Sequence, residues 1–108
     1  MAASFETAYK YGELLDIYGP LLSQTQRDIL EDYFAYNLSI SEIADNRHVS
    51  RAAVEDAIKK GKKKLDSLEK QIGNYAVMQK IYEIKNKTKD TEVISSLEEI
   101  ERMMKHGI

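Results

Sequence analysis

No cysteine occurs among the 108 residues, which excludes a disulfide, a thiolate nucleophile and a cysteine-based zinc site, and suits a reducing cytoplasm. No apolar run approaches the length needed to span a bilayer. Met1, Ala2, Ala3 and Ser4 also lack the basic start and apolar stretch of a signal peptide, so a cytoplasmic protein without membrane insertion is expected. Glycine-rich phosphate loops, serine in a recognised setting with His and Asp, and metal-ligand spacings are all missing. An enzyme is therefore set aside, and no cofactor and no metal is expected. Of the two histidines, His48 stands alone as a strained turn residue and His106 suits a helix-end cation. Glu98, Glu99 and Glu101 are solvated carboxylates on a surface helix.

What the chain does have is helix punctuation. Its length is that of one domain, 43% of its residues are hydrophobic, and 31% are charged, as suits helices with one wet face. Phe5, Ala8, Tyr11, Leu14, Leu15 and Tyr18 form one helical face behind Ser4 as cap, and Gly19-Pro20 ends that helix, with the left-handed conformation open to Gly19. Ser23-Gln24-Thr25-Gln26 reads as a capping box, opening a helix from Gln24 to about Tyr36 that buries Ile29, Leu30, Tyr33 and Phe34. Asn37 is its expected left-handed terminator. The tyrosines (Tyr9, Tyr11, Tyr18, Tyr33, Tyr36, Tyr75 and Tyr82) fall mainly at core or seam spacing, which favours packing over a stacking platform.

The stretch that the rest supports is Ser39 to Lys64. Ser39-Ile40-Ser41-Glu42 is a second capping box, in which the Ser39 hydroxyl accepts from the Glu42 amide and the Glu42 carboxylate accepts from the Ser39 amide. Ile43 and Ala44 face inward, His48-Val49-Ser50 turns the chain, and Ser50 caps a following helix whose Val54, Ala57 and Ile58 share one stripe. Two short helices joined so tightly make a helix-turn-helix, with the second as candidate reader of DNA. Charge supports this placement. Net charge is −2, yet Arg47 to Lys64 holds seven basic residues against Glu55 and Asp56. The outward arc carries Ala52, Glu55, Asp56, Lys59, Lys60 and Lys63. Arg51 could contact guanine, and the lysines phosphate.

In LLSQTQRDIL, SISEIAD, VSRAAV and the long charged tail, the chain resembles the YlxM-like family of small bacterial helix-turn-helix proteins. Leu21 to Leu65 is similar to the promoter-reading helix-turn-helix of sigma factors, region 4. The resemblance implies an all-α fold: a helix-turn-helix core without a winged-helix element, a long C-terminal helix and a final short helix. It also implies a regulatory role in the signal recognition particle pathway, whose components become possible partners. Family members more often carry Gln and Tyr where Ala52 and Glu55 stand, and glycine where His48 stands.

Beyond the motif, Val54, Ile58, Gly61, Leu65, Leu68, Ile72, Tyr75, Gln79 and Tyr82 continue at heptad spacing, which predicts one helix from Arg51 to about Lys85, roughly 50 Å long. Such a helix exceeds a globule of this size. Leu65, Leu68, Ile72, Tyr75 and Tyr82 are therefore expected to pair two copies in a homodimer. After a polar break at Asn86–Asp90, with Thr88 or Asp90 as cap, a last helix from Thr91 to His106 is expected to bury Ile94, Leu97, Ile100 and Met103 or Met104. A single domain over 1–108 is expected, with the core at 5–65 and a dimerisation extension at 66–108. The functional expectation is a DNA-binding regulator, read through Ser50, Arg51, Ala52, Glu55, Lys59, Lys60 and Lys63. Because the recognition helix opens with carboxylates, an adaptor of the secretion pathway that keeps the fold without reading DNA is the alternative.

Overall fold

Serine caps open the first four α-helices. In the computed structural model, which describes residues 4–106 with the His106 side chain excepted, Ser4 accepts the Thr7 amide and opens α1, Phe5–Tyr18. The expectations placed on Met1, Ala2, Ala3 and the His106 side chain lie outside the described residues. Ser23 accepts the Gln26 amide at 3.2 Å, one half of the anticipated box, and opens α2, Gln24–Leu30. Ser39 opens α3, Ile40–Arg47; Ser50 opens α4, Arg51–Ile72; α5 spans Asn74–Lys87 and α6 spans Thr91–His106. Asp90 caps α6, its Oδ1 accepting from the amides of Glu92 and Val93. Every regular element among the described residues is helical, an all-α fold.

Three expectations need correction in the first half. Gly19 keeps a right-handed conformation (φ −48°), in a short 3₁₀ turn with Pro20, and its missing side chain makes room for Arg27, whose Nε would lie 3.2 Å from a Cβ there. The second helix does not run as α-helix to Tyr36. Its last turn, Glu31–Ala35, widens to π geometry, where the Tyr36 amide reaches the Glu31 carbonyl and the Leu38 amide the Asp32 carbonyl, before Asn37 turns left-handed at φ 56°. Phe5, placed on the inward face by its spacing, is 85% exposed because the first turn of α1 projects past the core.

The largest correction concerns the long helix. It stops at Ile72: Gly73 adopts φ 78°, a left-handed cap, and α5 starts at once in a new direction. The heptad stripe runs through this break in phase, so spacing alone conceals it. What holds the new direction is Glu69, whose carboxylate accepts from the amides of Tyr75 (2.8 Å) and Ala76 (3.1 Å) and from the Tyr18 hydroxyl (2.7 Å). These bonds satisfy amides that the first turn of α5 leaves without helical partners.

Helix α1, which packs on both α4 and α5, covers much of the stripe from within. Leu65 is fully buried in this chain's core, Leu68, Tyr75 and Tyr82 pack against that core partly buried, and only Ile72 of the five seam residues is exposed. A single copy thus covers Leu65 fully and three of the other four in part. Helix α1 is the hub, packing on the π turn, α4, α5 and α6, while α2 and α3 lie on α4. Along α6, Ile94, Leu97 and Met104 are half-buried, whereas Ile100 and Met103 are exposed.

Gly61 sits where α2 crosses α4. A Cβ there would stand 2.5 Å from Leu30 Cδ1, so the close approach requires glycine, which the seam pattern alone reads only as a weak helix former. The molecule is elongated, 50 × 24 × 19 Å, with a radius of gyration of 15.7 Å against roughly 13 Å for a compact domain of this length. The boundary anticipated between residues 65 and 66 falls inside α4. No helix among the described residues is long and apolar enough to cross a membrane.

Candidate nucleic-acid interface

The pair α3–α4 is built by local chemistry at both ends of its turn. The Glu42 amide donates to Ser39 Oγ at 3.1 Å and the Ser39 amide donates to Glu42 Oε1 at 3.0 Å, completing the capping box. That backbone N–H of Ser39, followed by the Ser39 hydroxyl, holds the Glu42 carboxyl below the usual carboxylate range. Helix α3 closes on His48, left-handed at φ 56° and ψ 44°, whose amide reaches the Ala44 carbonyl along with that of Val49. Histidine there bears a cost that glycine would not. Ser50 then caps α4 by accepting the Ala53 amide at 3.0 Å.

Packing fixes which face of α4 looks outward. Ile43 and Ala44 of α3 and Val54 and Ile58 of α4 are buried, and the small Ala44 lets the helices cross closely. Arg47, at the end of α3, donates to Asp32 Oδ2 at 2.6 Å and so ties the motif to the π turn. Hydrogen bonding to Asp32 pushes the Arg47 guanidinium further up.

All seven residues anticipated as a DNA-reading set, Ser50, Arg51, Ala52, Glu55, Lys59, Lys60 and Lys63, are exposed, on the first four turns of α4 or at its cap. They are not equivalent in charge. Lys60 is paired with Asp56 at 3.0 Å, an exposed i,i+4 bridge that offsets its cation, whereas Lys59 and Lys63 form no ion pair among the described residues. Lys62, outside the anticipated set, is half-buried with its ammonium 5.1 Å from the centroid of the Tyr11 ring.

Two features had no local signal. Tyrosine hydroxyls tie helices together: Tyr11 donates to both oxygens of Asp66, Tyr18 to Glu69, and Tyr82 to Glu13. Their rings follow core spacing, but the partners lie more than 50 residues away. Burial first, then the hydrogen-bonded carboxylate, pushes the Tyr11 and Tyr18 hydroxyls up to about 12; Tyr82 is also raised, by burial and then the charge of Glu13. The other feature is a cleft between α4 and the helices beneath it, lined in part by Tyr11, Tyr33, Lys59 and Lys63.

A capped α3, a left-handed turn and a capped α4 with its outer face free define an all-helical helix-turn-helix protein. Comparison with known proteins gives the family: the chain belongs to the UPF0122 family, described as "Putative helix-turn-helix protein, YlxM / p13 like", which matches residues 5–106. It is 40% identical over 88 residues to a UPF0122 protein of Malacoplasma penetrans, with 82% of each chain covered. A relative from Lactococcus lactis subsp. cremoris is 34% identical over 103 residues, covering 91% of this chain and 93% of its own. Another, from Acetivibrio thermocellus, is 33% identical over 96 residues, 89% of this chain and 78% of the relative.

Proposed function

We propose that the protein binds DNA through α4 as a regulatory helix-turn-helix protein. The observation that carries this reading is the exposed row from Arg51 to Lys63 on the second helix of a fully capped helix-turn-helix, with Lys59 and Lys63 free of ion pairs among the described residues. Arg51 stands at the helix start, where base edges are usually reached, and its guanidinium suits bidentate contact with guanine. Lys59 and Lys63 lie roughly two and three turns further on and suit phosphate. Affinity from such contacts carries little sequence information and falls steeply with salt.

A second reading rests on Glu55 and Asp56. Both are exposed on the first turns of α4, where phosphate repels them, and Asp56 also takes up the charge of Lys60. They favour an adaptor of the signal recognition particle pathway that keeps the fold without base readout. Selection of genomic fragments by the purified protein at physiological salt separates the two. A consensus sequence supports DNA reading; noise, with signal recognition components recovered from nuclease-treated extract, supports the adaptor.

A further inference from the structure

Helix α4 also borders a cleft, along an edge of its exposed face. Glu55, Ile58, Lys59, Lys62, Lys63 and Asp66 recur at helical spacing and form one wall of a cavity of about 500 Å³. The opposite wall and floor come from Tyr11 of α1, Tyr33 of the π turn and Ile40 at the start of α3. Tyr11 and Ile58 are buried, and Tyr33 and Ile40 are half-buried. The interior is thus aromatic and aliphatic, while three ammonium groups stand along one side. This combination, an apolar hollow of ligand size with few convergent polar groups, is what small-molecule sites share.

Charge decides the ligand class. Lys59 and Lys63 form no ion pair among the described residues, and Lys62 lies over the Tyr11 ring. Of the two carboxylates on the same wall, Asp66 already accepts from the Tyr11 hydroxyl through both oxygens, at 3.0 and 2.9 Å. Glu55 stands one turn before Lys59 and has no hydrogen bond or ion pair among the described residues, so it offers an acceptor at one end of the lysine row.

We propose that this cleft binds a nucleoside monophosphate. Its base lies against the aromatic and aliphatic floor, its phosphate is met by Lys59, Lys62 and Lys63, and an exocyclic amine of the base is received by Glu55. Adenine, guanine and cytosine carry such an amine; uracil does not. Binding does not depend on the DNA reading. One consequence does rest on it: Lys59 and Lys63 belong to the outward row as well, so a bound nucleotide competes with DNA phosphate for them.

Calorimetric titration of the full chain, without DNA, tests the site apart from that reading. The probes are AMP, GMP, UMP, ribose 5-phosphate and inorganic phosphate. AMP and GMP should saturate with Kd on the order of 0.1–1 mM, UMP should bind several-fold more weakly, and the two ring-free phosphates should not saturate in that range. Changing Lys59→Ala and Lys63→Ala together, both exposed, should weaken AMP by about tenfold or more with unchanged circular dichroism. Glu55→Gln should bring AMP and UMP closer in affinity. Saturation by inorganic phosphate as tight as by AMP, AMP binding indifferent to the lysine pair, or no binding by AMP or GMP would each overturn the site. Equal affinity for AMP and UMP in the unaltered chain would overturn the role of Glu55. A single-stranded oligonucleotide that binds where AMP does not would assign the cleft to a polymer and overturn the proposal for a free nucleotide.

Discussion

Tyr18 and Glu69 meet at 2.7 Å, hydroxyl to carboxylate, and the same hydroxyl accepts the Asn74 amide at 3.1 Å. One contact between α1 and α4 thereby fixes where α5 begins. Glu69→Ala removes the acceptor of two α5 amides and of the Tyr18 hydroxyl, and should cost about 2–3 kcal/mol in urea unfolding. Tyr18→Phe should cost about 1 kcal/mol, since Glu69 still holds Tyr75 and Ala76. An effect of Glu69→Ala within the roughly 0.5 kcal/mol of ordinary surface substitutions would refute this account of the break.

Gly61→Ala offers a case where helix propensity and packing point in opposite directions. Alanine should gain about 1 kcal/mol in a helix interior. Here the new methyl meets the fully buried Leu30 at 2.5 Å, and overpacking of this kind costs about 1–3 kcal/mol. A net loss of stability is expected. Combined with Leu30→Ala, the alanine at 61 should become neutral or favourable, and a double-mutant cycle that shows simple additivity would contradict the close crossing.

Alkaline unfolding should follow the tyrosine ties. With the Tyr11 and Tyr18 hydroxyls raised to about 12 in the folded chain, against about 10 unfolded, the folded state retains protons that the unfolded state releases. Their contribution is complete below about pH 10 and disappears as pH rises through about 12. Titration of tyrosinate absorbance should therefore show a late group, containing Tyr11 and Tyr18, that ionises with unfolding. Superimposable titration in native buffer and in denaturant would count against it.

Two variants on the outer face of α4 probe DNA binding in opposite directions. Lys59→Ala with Lys63→Ala should lower the slope of log affinity against log salt by about 2 for any duplex, the value for two lost phosphate contacts. Glu55→Gln should raise affinity by fluorescence anisotropy while stability stays within about 0.5 kcal/mol. Normal melting with no gain in affinity would shift the balance to the adaptor reading.

Leu65 and Ile72 lie in the same seven-residue pattern but in different surroundings. Leu65→Lys places a charge in the core and should unfold the chain. Ile72→Lys, at a position 46% exposed, should melt nearly as the unaltered chain does. Light scattering on the folded variant then reports whether Ile72 joins two copies.

Local chemistry is what the sequence displays most clearly. The caps at Ser4, Ser39 and Ser50, the left-handed Asn37 and His48, and the exposed row from Arg51 to Lys63 each depend on residues within one or two turns, and each is found as expected. The break at Gly73 was not legible, because Leu68, Ile72, Tyr75 and Tyr82 keep the heptad phase across it. Glycine alone weakens a helix by about 1 kcal/mol; the decisive contribution is Glu69, oriented by a tyrosine 51 residues earlier. The cleft was hidden for the same reason. Lys59 and Lys63 announce a basic face, but only folding sets Tyr11 and Tyr33 opposite them.

Helix α4 has a mechanical consequence. Its 22 residues form one unbroken shaft of about 33 Å, with Arg51 at one end and the α5 junction at the other. Arg51 and Glu69 therefore stand on one helix, with no loop between the outward row and the residue that holds the start of α5. The same continuity means that the helix-turn-helix cannot be detached: cutting the chain after Lys64 would remove Asp66 and Glu69, and with them the moorings of Tyr11 and Tyr18 on α1.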